Sequence, residues 1–290
     1  MQQRQSITIL VLLIVLISAI TTSFGIFSTN GPGTYQYESI RGKTVEIYGR
    51  GIYQHMSADV AVQGIAQDYV TLFIGIPLLL IALAGYRKNS IRSHFVLAGT
   101  LGYFFVTFLF YTAMGMYNLM FLGYVILLGL TFFSLFLSLI EVDMSKVSHY
   151  FSAKTPYKFV GGFLIFNSIM IALLWLSIVI PPLIDGTIYP DALQHYTTLI
   201  VQGFDLGLLL PISFVVGLLL MKRSPWGYLF GTLYIVFLSV LMTALTAKLI
   251  AMAINGVSVV PAIFIIPTIN IITIYCAYSI IRNIQIERKS

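Results

Sequence analysis

VQGFDLGLLLP, Val201 to Pro211, sets one carboxylate, Asp205, inside a stretch otherwise apolar enough to be a membrane-buried helix. A looser copy, VQGIAQDYVTLFIGIP from Val62 to Pro77, places Asp68 in a similar run in the first half. A carboxylate at mid-membrane costs about 2.5–3.5 kcal/mol on insertion scales, so each acid needs a partner or access to water.

The chain around these stretches has no soluble alternative. With 58% hydrophobic residues, 9% charged residues and a mean hydropathy of +0.93, it lacks the polar surface that a soluble fold of 290 residues requires. The net charge of +6 does not point to nucleic acid, because the basic residues fall in short clusters between apolar runs. The single cysteine, Cys276, excludes an intrachain disulfide and a CxxC redox or zinc motif.

Apolar runs of about 20 residues span the hydrocarbon core as helices. Eight are legible: Ile7 to Phe27, Asp68 to Tyr86, Phe95 to Met116, Leu119 to Ile140, Phe159 to Ile180, Thr198 to Met221, Trp226 to Ile254, and Pro261 to Ile281. The first has the look of a signal peptide and is read as a retained span. The fold class expected is thus an all-α integral membrane protein with eight transmembrane helices. Arg4, Arg87, Lys88, Arg92, Lys146, Lys154, Lys158, Lys222, Arg223, Arg282, Arg288 and Lys289 then share one side, and only Arg41, Lys43 and Arg50 lie in loops on the other. The positive-inside rule makes this a multi-pass cell-membrane protein with both termini cytoplasmic. Its loops 28–67 and 181–197 face outward, the former as an extracytoplasmic cap after the first helix.

Several phrases repeat in order: VQG at Val62 and Val201, a proline at Pro77 and Pro211, a basic pair at Arg87 and Lys222, and GTL at Gly99 and Gly231. They point to two tandem four-helix units in the same orientation, 1–158 with its cap and 159–290, with an interface where membrane proteins place sites.

Three charges fall within spans: Asp68, Asp205 and Lys248. At 1.5 Å per residue, Asp205 stands about 25 Å from Lys222, Asp68 about 28 Å from Arg87, and Lys248 about 33 Å from Trp226, all toward the outer leaflet. The KRSPW turn makes spans six and seven an antiparallel hairpin, and side chains lean toward their own helix N-terminus. Asp205 and Lys248 are therefore expected to pair, either as a structural ion pair or as part of a ligand site.

Before span two, TVEIYGRGIYQHMSADVAVQGIAQD alternates like a strand over Thr44 to Tyr48 and turns tightly at Gly49 and Gly51 around Arg50. Ser57 is expected as an N-cap with Asp59 in the first turn of a helix. The segment reads either as an ordered cap or as a binding vestibule containing Arg50, His55 and Asp59. YGRG at Tyr48–Gly51, AQD at Ala66–Asp68 and PWGYL at Pro225–Leu229 resemble phrases of a family of eight-span bacterial membrane proteins of uncharacterised activity. The resemblance implies architecture and no chemistry.

His55 and His195 fall on one side and His94 and His149 on the other, so the histidines do not converge; an outer set of His55, Asp59, Asp191 and His195 is the one arrangement left open. Without a Walker A, GxGxxG or HExxH phrase in context, no cofactor is expected, and an enzyme is not the favoured class. Two function classes remain. One is a small-molecule or ion transporter or permease-like protein with an outward polar pocket at Asp68, Asp205 and Lys248; the other is a non-catalytic sensor or assembly subunit that binds a ligand or partner protein through its cap. The lipid bilayer is the expected partner in both, and nucleic acid in neither.

Overall fold

A computed structural model describes residues 2–285. Its helices are α1 (Gln2–Phe27), α2 (Ala58–Val70), α3 (Ile76–Arg87), α4 (Ile91–Met114), α5 (Phe121–Ile140), α6 (Tyr157–Ile184), α7 (Ile200–Phe204), α8 (Leu210–Met221), α9 (Pro225–Ile254) and α10 (Ala262–Arg282). α2 runs into α3 through a π-helical turn, Thr71–Gly75, and α7 into α8 through another, Asp205–Leu209. Among the described residues this leaves eight continuous helices long and apolar enough to cross a membrane. The second begins at Ala58, a few turns before the expected start at Asp68.

The two π-turns share one physical cause. Proline has no N–H to give and its ring collides with the carbonyl four residues back, a strain that a helix relieves when it widens by one residue ahead of the ring. Pro77 and Pro211 each lie two residues past a π-turn, in which Ile76 N–H reaches Thr71 O and Leu210 N–H reaches Asp205 O, five residues back. The helix ends that follow match as well. Asn89 and Arg223 both take left-handed backbone angles (φ 63° and 55°). Ser90 and Ser224 then cap α4 and α9 by accepting the N–H of Ser93 and of Gly227. Proline, left-handed residue and serine cap recur at one constant separation along the chain.

In the first half α1, the α2–α3 helix, α4 and α5 pack around a shared core in which Leu79, Leu101, Phe104 and Leu127 are wholly buried. In the second, α6 packs on α8, α8 on α9 and α9 on α10. Gly161 of α6 and Gly217 of α8 face each other so closely that a Cβ on either would lie 2.7 Å from the other's carbonyl oxygen. This is the small-residue contact by which helices associate where lipid supplies no hydrophobic drive. The halves join through α9, which packs on α4 and α2. Apolar side chains point outward around the bundle, as at Leu16, Phe133, Phe166 and Ile271, each more than half exposed. That surface suits lipid.

Both ends of the described chain meet one face. Arg4 bonds Asn89 and lies 3.4 Å from Glu141, and Arg92 donates to the carbonyls of Arg282 and Ile284. This terminal face carries the basic clusters expected to group together, apart from Arg288 and Lys289, which lie outside the described residues. The opposite, connection face carries Arg41, Lys43 and Arg50.

On that face the α1–α2 connection folds into strands β1 (Tyr35–Glu38) and β2 (Thr44–Ile47), an antiparallel pair in the register Tyr35 to Ile47 and Glu38 to Thr44. A 3-10 turn follows at Gly51–Tyr53. The tight turn read at Gly49 and Gly51 is present, with φ of 70° and 55°. Ser57 occupies the N-cap position of α2 but makes no side-chain cap; its hydroxyl meets Tyr196 of the α6–α7 connection instead.

Candidate functional site

The two connections, far apart in sequence, close on one another. Arg41 donates to the carbonyls of Gln194 (2.9 Å) and Tyr196 (2.6 Å), and Lys43 pairs with Asp191 at 2.5 Å. That contact holds the exposed Asp191 carboxyl below the usual carboxylate range, by the Lys43 hydrogen bond first and its charge second. Gln194 donates to both carboxylate oxygens of Asp59 at 3.1 Å, and His195 Nε2 donates to the backbone carbonyl of His55.

Between them lies a cavity of about 550 Å3. Lys43 enters it just before β2 and Glu46 from β2, the following turn supplies Arg50, α2 Asp59, the second connection Asp191 and Gln194, and the end of α9 Met252 with Asn255 just beyond it. Both signs of charge line it. Lys248 stands one helical turn from Met252 on the same face of α9, toward the centre of the bundle. It is half-buried and, among the described residues, forms no ion pair within 4.0 Å. Both Asp68 and Asp205 lie within its electrostatic range.

Direct pairing of Asp205 with Lys248 is therefore not observed. Asp205 accepts a hydrogen bond from Trp175 Nε1 of α6 at 2.7 Å. Asp205 is the first residue of the π-turn, and its side chain reaches α6. None of Asp68, Asp205 and Lys248 lines the 550 Å3 cavity.

Asp68 is enclosed. Tyr53 of the connection donates to its Oδ2 at 2.5 Å and Tyr111 of α4 to its Oδ1 at 3.0 Å, while α1 passes so closely that a Cβ on Gly25 would lie 1.7 Å from Oδ2. Gly64 of α2 leaves room for the Tyr53 ring in the same way. One turn further, Gln67 donates to Tyr103 and Thr107, and Thr71 bonds Tyr103 at 2.8 Å. The carboxylate thus ties the connection to three transmembrane helices.

Of the residues singled out from sequence, Arg50 and Asp59 line the cavity. His55 is exposed outside it, and Asp68, Asp205 and Lys248 lie deeper in the bundle. The possible ligand set of His55, Asp59, Asp191 and His195 does not form, and among the described residues no three His, Cys, Asp or Glu side chains converge to hold a metal. Tyr53, Tyr111, Trp175, Gln194 and Tyr196 escaped the sequence reading. The available signal was chemical: a buried phenol or indole needs an acceptor, and apolar runs offer few besides Asp68 and Asp205. The chain matches no family model, no curated protein and no solved structure.

Proposed function

We propose that this is a permease-like membrane protein that receives a small polar solute bearing both charges in the cavity beneath the α1–α2 connection. The terminal face is cytoplasmic in this reading, as the basic clusters on it favour. The observation that carries the proposal is the composition of the cavity. Both halves of the chain build it, it presents Arg50 and Lys43 beside Glu46 and Asp59, and it overlies Lys248, a cation without an ion-pair partner among the described residues. The solute's acidic group is taken by Arg50 and drawn toward Lys248, and its basic group is taken by Glu46 or Asp59. The matched π-turns at Pro77 and Pro211 support tandem units 1–158 and 159–290 whose helices flex against each other, because a widened turn has carbonyls free to exchange partners.

A second reading has its own support. Asp68, the buried acid nearest the connection, is closed in by Tyr53, Tyr111 and α1, which favours a sensor that binds without transporting.

The test uses glycine, succinate and ethanolamine as zwitterionic, dianionic and cationic probes of thermal stability in detergent. Ligand at a hundred times its Kd stabilises by about 2.7 kcal/mol. Glycine is expected to raise the Tm and Arg50→Ala to remove the rise. Binding without uptake into proteoliposomes establishes the sensor, and absence of any shift, together with a reagent-inaccessible cysteine at Arg50, overturns both readings.

A further inference from the structure

The terminal face holds a second cavity, of about 470 Å3, between the first turns of α1 and the end of α3. Arg4, Gln5 and Thr8 line it from α1, Arg87 from α3, and Glu141 from the end of α5. Arg4 is held in place: its guanidinium lies 5.0 Å over the Tyr86 ring, bonds Asn89 and approaches Glu141, which also accepts from Tyr86. His94 also packs against the Tyr86 ring, 5.0 Å between centroids. Arg87 is different, being exposed and, among the described residues, without an ion-pair partner.

We propose that this cavity binds the phosphodiester headgroup of one anionic phospholipid, with its acyl chains lying along the α1–α3 groove. The charge fits. Arg4, Arg87 and Glu141 leave a net of one positive charge, which a phosphodiester monoanion neutralises; Arg87 supplies the free guanidinium and Arg4 the prearranged one. Glu141, already engaged by Arg4 and Tyr86, faces the headgroup as a hydrogen-bond acceptor, so a headgroup bearing hydroxyls suits it and a second phosphate does not. Apolar surface continues the site inward. One and two turns past Thr8 on the same side of α1 stand Leu12 and Leu16, 48% and 59% exposed, and two turns before Arg87 stands Leu80, 39% exposed. A free phosphate would use the cations and leave that surface idle.

The experiment is native mass spectrometry of the full chain released from micelles containing equal phosphatidylglycerol, phosphatidylethanolamine and phosphatidylcholine. One phosphatidylglycerol is expected to be retained in preference. Arg87→Gln, an exposed substitution, weakens that retention about fivefold, the effect of one basic residue near an anionic headgroup, whereas Lys158→Gln on the same face leaves it unchanged. Added glycerol phosphate at millimolar concentration displaces little of the lipid, because it lacks the chains. Equal retention of the three lipids, equal loss in both variants, or full displacement by glycerol phosphate each overturns the proposal, the last by assigning the cavity to a soluble phosphate ester.

Discussion

Gly25 and Asp68 meet with no room for a carbon atom between them: a Cβ on Gly25 would lie 1.7 Å from Asp68 Oδ2. The carboxylate packs against the bare backbone of α1 and is gripped from the other sides by Tyr53 and Tyr111. Replacing Gly25 with Ala must displace Asp68 or push α1 outward, an overpacking that costs about 1–3 kcal/mol. Thermal unfolding in detergent should fall accordingly, and an unchanged Tm would show that α1 is not tightly seated there.

The two phenols on Asp68 are expected to act together. Tyr53→Phe and Tyr111→Phe each remove one donor, at about 1–3 kcal/mol for a bond to a buried carboxylate. Because both serve one carboxylate and their own hydroxyls are 3.4 Å apart, the double variant should deviate from additivity by at least about 0.5 kcal/mol. Additive losses would mean that the cluster does not work as a unit.

For Asp205 the partner is Trp175, and double-mutant cycles can separate it from Lys248. Asp205→Asn with Trp175→Phe should show a coupling of about 0.5–3 kcal/mol, and Asp205→Asn with Lys248→Met a smaller one, since the two charges interact without an ion pair within 4.0 Å. The reverse pattern would restore the ion pair that helix depth alone suggests.

Topology is open to cysteine labelling against a quiet background, since Cys276 is buried and is the one cysteine of the chain. Cysteines at Arg50 and Tyr189 should react with an impermeant reagent added outside, and those at Lys88 and Lys222 should not. Gly51 is a poor probe position, as its φ of 55° and a Cβ 2.2 Å from Ser28 O would strain any replacement. Labelling in the reverse pattern would invert the assignment of faces.

The clamp between the connections should weaken in acid. Lys43 holds the Asp191 carboxyl below its ordinary value, so the bridge contributes fully above the unfolded carboxylate range of about 4 and is lost as pH falls through the lower, folded value. Hydrogen-exchange protection factors in 181–199, taken relative to the intrinsic rate at each pH, should therefore fall on acidification. In Lys43→Met the protection factors should be already lowered and nearly independent of pH over that window; parallel behaviour of the two proteins would remove the bridge from the clamp.

Much of the architecture is decided by local chemistry. Run length and hydropathy determine eight helices long and apolar enough to cross a membrane, the basic clusters mark one face, and the Ser90 and Ser224 caps and the prolines at 77 and 211 mark where helices start and widen. Strand β2 and the turn around Arg50 follow from alternation and two glycines. Partner choice is a different matter. Hydropathy gives Asp205 a depth but not a direction, and in the packed bundle its side chain meets Trp175 instead of pairing with Lys248. Asp68 looks equally solitary in sequence, yet Tyr53, Tyr111 and the gap at Gly25 converge on it from three separate elements. The cavity is likewise assembled from Arg50, Asp59 and Gln194, which come together only when the two connections lock. Burial along one helix depends on the residues of that helix, whereas a hydrogen bond between helices depends on their relative rotation and spacing, which only the packed bundle determines.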